Sequence, residues 1–307
     1  MAKSAQEISR LNSKSTFQKA DSEVVTTSSV LGKAARFFPE PNALSEHGNA
    51  KVISVVNQKG GVGKTTTSVN LAASLASKNK SVLLIDLDPQ GNATTGSGIN
   101  KSTIKTSIYD VLIQSKSFND IVIHCERGGF DLAPSNRNLA GAEVELVNES
   151  KRETRLKEAL QHLKKDYDYV LLDCPPALNL ITVNALTAAD AVLIPMQCEY
   201  YALEGLSDLV GTIKKVRSHL NPHIEIEGLL KTLFDSRNML AQQVSDQLTA
   251  HFGDKVYETI IPRNVRLAEA PSHGMPVLMY DRSSRGAVAY LKLAEEIIQK
   301  EMRKSHG

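Results

Sequence analysis

The chain contains no tryptophan, and aromatic residues fill 5% of its 307 positions. That scarcity argues against binding single-stranded nucleic acid by base stacking, which needs aromatic platforms. Cysteine is almost as rare, with Cys125, Cys174 and Cys198 alone. An odd, scattered set makes neither a disulfide framework nor a zinc site, and it fits a reducing cytosol. His124, His162, His219 and His223 show no metal-ligand spacing. No sign of charge dominates: 36 Lys and Arg face 34 Asp and Glu, for a formal net charge of +2. Any basic surface must therefore be local. No apolar run approaches the roughly 20 residues of a membrane-spanning helix, and the first residues lack the apolar core of a secretory signal. What is present is ordinary for a globular protein, 41% hydrophobic and 23% charged, at a length that can bury a sizeable core.

Two regions differ in composition. Residues 1–49 are rich in Ser, Asn, Lys and Glu, with Phe37-Phe38 as their aromatic pair and Pro39 and Pro41 near their end. They are expected to form a flexible N-terminal extension with a short helix near residues 6–11, either a solvated tail or an arm that docks a partner or DNA. From residue 50 to 307, strand-like and helix-like segments alternate. Strands are expected at 52–56, 82–87, 130–133, 169–173, 191–195, 227–233 and 257–261. Helices are expected at 65–77, 152–165, 176–188, 203–219, 239–251 and 285–303. Strands as apolar as Val82-Leu83-Leu84-Ile85 and Tyr169-Val170-Leu171-Leu172 imply burial on both faces. The expected fold class is α/β, a mostly parallel twisted sheet flanked by helices, with ligands beyond the carboxyl ends of the strands.

The most informative run is Lys59-Gly60-Gly61-Val62-Gly63-Lys64-Thr65-Thr66, between the first expected strand and the first expected helix. A glycine loop between strand and helix is the context of a phosphate-binding loop. Its amides can approach phosphate oxygens without a Cβ clash, and the helix N-terminus adds its positive end. Lys64 supplies charge to the outer phosphates, and the Thr65 hydroxyl suits magnesium. The run departs from the common GxxxxGK[ST] pattern, with Gln58 where the first glycine would stand and a second lysine at 59.

Three aspartates fall at expected strand ends. Asp86 and Asp88 stand two apart and would share a side if the strand continued through both, before Pro89-Gln90-Gly91-Asn92 breaks it. Asp173 precedes Cys174-Pro175-Pro176. Beside a phosphate loop, such carboxylates suit control of water and magnesium. Asp88 is the candidate for orienting an attacking water, Asp173 the metal-side ligand, and Asp86 a support. Phosphoryl transfer also needs cationic charge where negative charge develops, and Lys59 is available for it.

Together these runs resemble the ParA/Soj family of chromosome- and plasmid-partition ATPases, a deviant Walker A branch of the P-loop NTPases. The resemblance rests on Asn57-Gln58 with the glycine loop, on Asp86–Asn92 (DLDPQGN), and on Leu171–Pro176 (LLDCPP). It rests also on Glu199–Leu206 (EYYALEGL) and Ile261–Ser272 (IPRNVRLAEAPS). It covers Lys51 to the C-terminus and leaves residues 1–49 outside. It implies an ATPase using ATP and Mg2+, cytoplasmic and nucleoid-associated. Lys59 would reach the nucleotide of a second subunit across a face-to-face, ATP-dependent homodimer, and Gly60 would let the two loops approach. Lys59, Gly60, Gly61, Val62, Gly63, Lys64, Thr65 and Thr66 would surround the phosphates, Thr65 and Asp173 would serve the metal, and Asp88 would set the water. Pro262 and Asn264 would lie near the base. Arg237 and Arg266 would bind double-stranded DNA without sequence preference, and a ParB/Spo0J-like DNA-binding protein would stimulate hydrolysis.

From the residues alone, the scattered Lys and Arg of the C-terminal half fit a solvated surface as well as a DNA footprint. Three rival readings share the loop, and one, a non-enzymatic switch that holds ATP and hydrolyses it negligibly, is opposed by Asp88. A membrane-cycling ATPase of the MinD type would use the apolar stripe Tyr290, Leu291, Leu293, Ala294, Ile297, Ile298 and Met302 on lipid, although such stripes more often pack a core and no membrane partner is expected. A redox ATPase like the nitrogenase iron protein would need paired cluster-ligand cysteines, and these cysteines read as structural.

Overall fold

The computed structural model describes residues 50–161 and 163–305. The expectation for residues 1–49 lies outside the described residues. In chain order the strands are β1 (Lys51–Val55), β2 (Val82–Asp86), β3 (Ile123–Cys125), β4 (Phe130–Ala133), β5 (Tyr169–Asp173), β6 (Ala191–Met196), β7 (Glu225–Phe234) and β8 (Val256–Pro262). The helices are α1 (Lys64–Ala76), α2 (Asn92–Gly96), α3 (Ile108–Gln114), α4 (Leu139–Leu146), α5 (Arg155–Leu160) and α6 (Leu180–Ala188). They continue with α7 (Ala202–His219), α8 (Met239–Phe252), α9 (Val265–Glu269), α10 (Val277–Tyr280) and α11 (Arg285–Ser305).

The strands form one sheet in the order β3-β4-β2-β5-β1-β6-β7-β8. All neighbours are parallel except β3 with β4, which are antiparallel. Parallel strands need covered faces on both sides, and the side chains divide accordingly. Leu83, Ile85, Val170 and Leu172 face one core layer, with α3 to α8; Val82, Leu84, Tyr169 and Leu171 face the other, with α1 and α11. This period-two division comes from the strand pleat, and it explains why the strands read as continuous apolar runs.

The expected elements were found with four changes. The segment expected as a helix over 152–165 is helical only at α5, followed by a 3-10 turn at Leu163–Lys165. The helix expected from 176 begins at Leu180, where Asn179 caps it by accepting from the Thr182 amide; the prolines at 175 and 176 precede that start. Helices α2, α3, α4, α9 and α10, and the short antiparallel β3, were not expected. The strand expected to reach 87 ends at Asp86, so Asp88 stands on a turn rather than beside Asp86 on a continuing strand.

The apolar stripe of α11 belongs to the core. Tyr290, Leu293, Ala294, Ile297 and Ile298 are each exposed by 1% or less, and Leu291 and Met302 pack against the same layer. Each large apolar side chain buried contributes about 1.5–3 kcal/mol, so using this face on lipid would require undocking the helix. Among the described residues no helix is long and apolar enough to cross a membrane.

Candidate active site

The carboxyl ends of β1, β2, β5 and β7 meet at a cavity of about 500 Å³. It is lined by Gly60, Gly61, Gly63, Lys64, Thr65 and Thr66 on one side, by Asp88 and Asn92 on a second, and by Leu233, Asn264 and Leu267 on a third. Parallel topology puts these loops there, because every β-to-α turn leaves from the same edge of the sheet.

The glycine loop joins β1 to α1. Gly61 and Gly63 have φ of +75° and +87°, left-handed values that suit a residue without Cβ. Gly63 is the residue before α1, and its carbonyl accepts the Thr67 amide at 2.8 Å. Val62 is buried, and its carbonyl accepts from Thr232 Oγ1 at 2.7 Å. That bond ties the loop to the end of β7. Gly60 is different: a Cβ placed there meets nothing within 4 Å among the described residues, and its φ is not positive. Among the described residues nothing demands glycine at 60.

The two lysines are placed unlike each other. Lys64 is 7% exposed, and its Nζ donates to the Lys59 carbonyl at 3.1 Å. Burial lowers its pKa, while Asp173, Cys174 and Asp88 pull in the opposite direction. Lys59 has a half-exposed side chain that forms an ion pair with Glu199 on the turn after β6. Its amide donates to Asn57 Oδ1 at 3.0 Å, and Asn57 Nδ2 donates to the Pro195 carbonyl at 2.8 Å.

Asp86 and Asp173 are fully buried and register partners across β2 and β5. Asp86 accepts from the Thr94 amide (2.8 Å), Thr94 Oγ1 (2.7 Å) and the Asp88 amide (3.1 Å). It therefore holds the turn that carries Asp88 and the start of α2. Asp173 Oδ1 accepts from Ser68 Oγ at 2.8 Å, whereas Oδ2 is buried with no hydrogen-bond partner among the described residues. Burial first, and the neighbouring Asp86 charge second, push the Asp173 carboxyl well above the ordinary carboxylate range; Ser68 and Thr65 pull it partly back. A buried carboxylate oxygen without a donor, beside a threonine hydroxyl and a phosphate loop, is suited to a hydrated divalent cation. The residues present therefore fit magnesium, with Thr65 and Asp173 as the groups that could hold it.

Asp88 lines the cavity across from the loop. Its Oδ1 accepts the Gln90 amide at 2.9 Å, which fixes the carboxylate on its turn. Asn264 also lines the cavity, and its Oδ1 caps α9 by accepting from the Leu267 amide. Pro262 ends β8 without lining the cavity; Ile261 and Asn264, on either side, do so. Arg237 and Arg266 lie outside the cavity at the surface. Asp235 binds the Arg237 guanidinium through two contacts of 3.0 and 2.8 Å. Arg266 pairs with Glu269 at 2.8 Å and Asp281 at 3.3 Å. The cysteines are all buried, and burial pushes Cys125 up to about 12 and Cys198 up to about 11.

The site also includes residues the sequence reading passed over. Ser68 reaches Asp173, Thr232 reaches Val62, and Tyr290, whose hydroxyl pairs with Thr67 Oγ1 at 3.1 Å, lines the cavity from α11. Each acts across a long sequence separation, where local pattern carries no signal.

Comparison with known proteins agrees with this geometry. A family described as "AAA domain" matches residues 50–226. The chain is 55% identical over 247 residues to the sporulation initiation inhibitor protein Soj of Bacillus subtilis, covering 80% of this chain and 98% of that protein. It is 52% identical over 253 residues to the chromosome partitioning protein ParA of Caulobacter vibrioides, covering 82% and 95%. The chain belongs to the ParA/Soj family. Among solved structures, a Mycobacterium smegmatis protein described as cobyrinic acid a,c-diamide synthase, with bound ADP and magnesium, superposes with a TM-score of 0.71 at 36% identity, over 80% of this chain and 93% of that one. A putative plasmid partition protein of Borrelia burgdorferi bound to AMPPNP gives 0.67 at 29% identity, over 83% and 99%.

Proposed function

We propose that this protein is a partition ATPase that uses Mg·ATP to close a face-to-face homodimer, binds double-stranded DNA without sequence preference in that state, and is reset by hydrolysis. The observation that carries the reading is the cavity at the strand ends that Lys64, Thr65 and Asp88 line together, with the buried Asp173 tied to α1 through Ser68. Loop amides and Lys64 hold the β- and γ-phosphates. Thr65 and Asp173 hold magnesium, which when bound neutralises phosphate charge. Asp88 orients the attacking water. Lys59 serves the nucleotide of the second subunit. Gly60 supports such a dimer, since its own chain leaves open space where a side chain would stand. So do Tyr200 and Tyr201 beside Glu199, exposed by 73% and 70%. Asn264 faces the base, with Pro262 bracing the turn behind it. Arg237 and Arg266 contribute phosphate contacts, doubled by dimerisation. A ParB/Spo0J-like DNA-binding protein stimulates turnover, and the ATP dimer resides on the nucleoid in the cytoplasm.

Lys59 cannot serve a second subunit while Glu199 holds it. Glu199→Gln should release it at little expense to folding, because a half-exposed ion pair is worth about 0.2–1 kcal/mol. The expected result is dimer formation at an ATP concentration lower by about two- to fivefold, read by light scattering after gel filtration. An unchanged threshold would remove Glu199 as a competitor for Lys59.

The test of the whole reading uses Asp88→Ala protein, which should bind ATP without turning it over, on an unrelated DNA duplex with ATP, ADP or no nucleotide across a salt series. Tight, salt-sensitive binding with ATP alone is expected. Absence of binding in every state would overturn the DNA assignment and leave the nucleotide site standing.

A further inference from the structure

Leu233 has a φ of +49°, in the left-handed region that bulky side chains avoid. It lies in a bulge: Lys231 pairs with Ile260 and Phe234 with Pro262, so β7 spends one more residue than β8 over the same span. Bulges of this kind commonly place glycine at the left-handed position, and they re-aim side chains beside functional sites. Here a leucine occupies that position, and the consequence is visible. Consecutive strand residues ordinarily point to opposite faces, yet Thr232 and Leu233 both line the nucleotide cavity.

The bulge also sits between two parts of the proposed machinery. On its inner side, Thr232 holds the Val62 carbonyl of the glycine loop. On its outer side, Phe234 accepts the Arg263 amide at 3.3 Å, which joins the two chain segments that carry the arginines. Asp235 follows at once and binds both the Arg237 amide and the Arg237 guanidinium. In the other segment Asn264 and Leu267, which flank Arg266, line the cavity as Leu233 does.

We infer that Leu233 is a positioning residue that couples occupancy of the nucleotide cavity to presentation of Arg237. Thr232 and Leu233 are the residues of the β7 end that line the cavity a nucleotide would fill, and the strained backbone at 233 is the joint through which that contact shifts Phe234, Asp235 and Arg237. A strained residue persists where its surroundings hold it, and such positions concentrate at switch regions. A ligand shifts the conformation only by touching the two states differently, and Leu233 is the cavity residue nearest in sequence to Arg237. The inference rests on the DNA-binding reading proposed above.

The test compares wild type, Leu233→Gly and Leu233→Met. Glycine keeps the left-handed backbone accessible and removes the side chain; methionine retains an apolar contact. For each protein, ATP affinity, ATP-induced dimerisation and affinity for an unrelated duplex with ATP and with ADP are measured. In Leu233→Gly, with nucleotide at concentrations that saturate each protein, the ATP-to-ADP ratio of DNA affinities should fall by about tenfold, a coupling of ordinary size. Leu233→Met should keep the ratio. A general loss of structure would lower DNA affinity equally with both nucleotides, and that result, like an unchanged ratio, would overturn the inference. Wild type that fails to bind DNA with ATP would instead overturn the DNA reading on which it rests; wild type that binds beside an unaltered Leu233→Gly ratio sinks the coupling alone.

Discussion

Lys64→Ala protein is expected to lose ATP-dependent dimerisation and turnover together, with hydrolysis falling by at least about a hundredfold. The magnitude follows from where Lys64 sits. Its ammonium is almost enclosed and lies in the field of Asp173 and Asp88. With the lysine gone, an incoming triphosphate meets two carboxylates and the loop amides without their cationic counterweight. Like charges at short range in a poorly solvated site repel strongly, so the loss begins with binding and carries into the chemical step. Lysine at 59 cannot substitute, because its side chain leaves the loop in another direction, toward Glu199. Calorimetry with ATP and light scattering after gel filtration would read both losses, and a melting curve would show that the fold persists. ATP-induced dimers in this variant would remove the loop from its proposed role.

The parts of this site that were legible in the sequence are those written in adjacent residues. The glycine loop, its strand and its helix follow one another along the chain, and strands buried on both faces announce themselves as apolar runs. The aspartate proposed for the metal side stood out because β5 ends where apolar residues give way to Asp173, Cys174 and two prolines. What escaped was set by tertiary contact. Helix α2 is five residues long and has little periodic pattern; it is anchored by the two hydrogen bonds from Thr94 to buried Asp86. The three residues of β3 are too few to show alternation. The segment 152–165 keeps helical spacing, yet its chain changes to a 3-10 turn after α5, a boundary that periodicity does not mark. Asp86 and Asp88 were expected to share a side if the strand ran through both, and the end of β2 separates them into a buried anchor and a cavity carboxylate. Leu233 has no glycine or asparagine to announce its left-handed backbone. Arg237 and Arg266 were distinguishable from other surface arginines only through family resemblance, because exposed charge has no local signature.

The second large effect concerns Asp173, whose replacement by asparagine should stabilise the protein without ligand and disable it with ligand. Its carboxyl is raised above the unfolded value by burial and by Asp86. For an acid raised on folding, the native state binds more protons than the unfolded chain at pH values above the unfolded pKa of about 3.9. The contribution to stability is therefore complete below that value and is lost as pH rises until the folded carboxyl has ionised. Ionised Asp173 then stands buried beside Asp86 with Oδ2 lacking a donor, a cost that a divalent cation would relieve. Asp173→Asn removes the titration. Without ligand, the variant should melt higher than wild type at about pH 8 by a few degrees, at about 2–4 °C per kcal/mol for a domain of this size, and the difference should shrink toward about pH 5. With ATP, the extra stabilisation that magnesium gives wild type should disappear, and hydrolysis should fall by about a hundredfold or more. Melting curves across pH, with ATP and with or without magnesium, read all three effects. Equal pH slopes in the two proteins would show that Asp173 does not carry the titration, and an intact magnesium effect in the variant would place the metal on other groups. If both effects appear, the feature that weakens the empty protein is the one that prepares it for Mg·ATP.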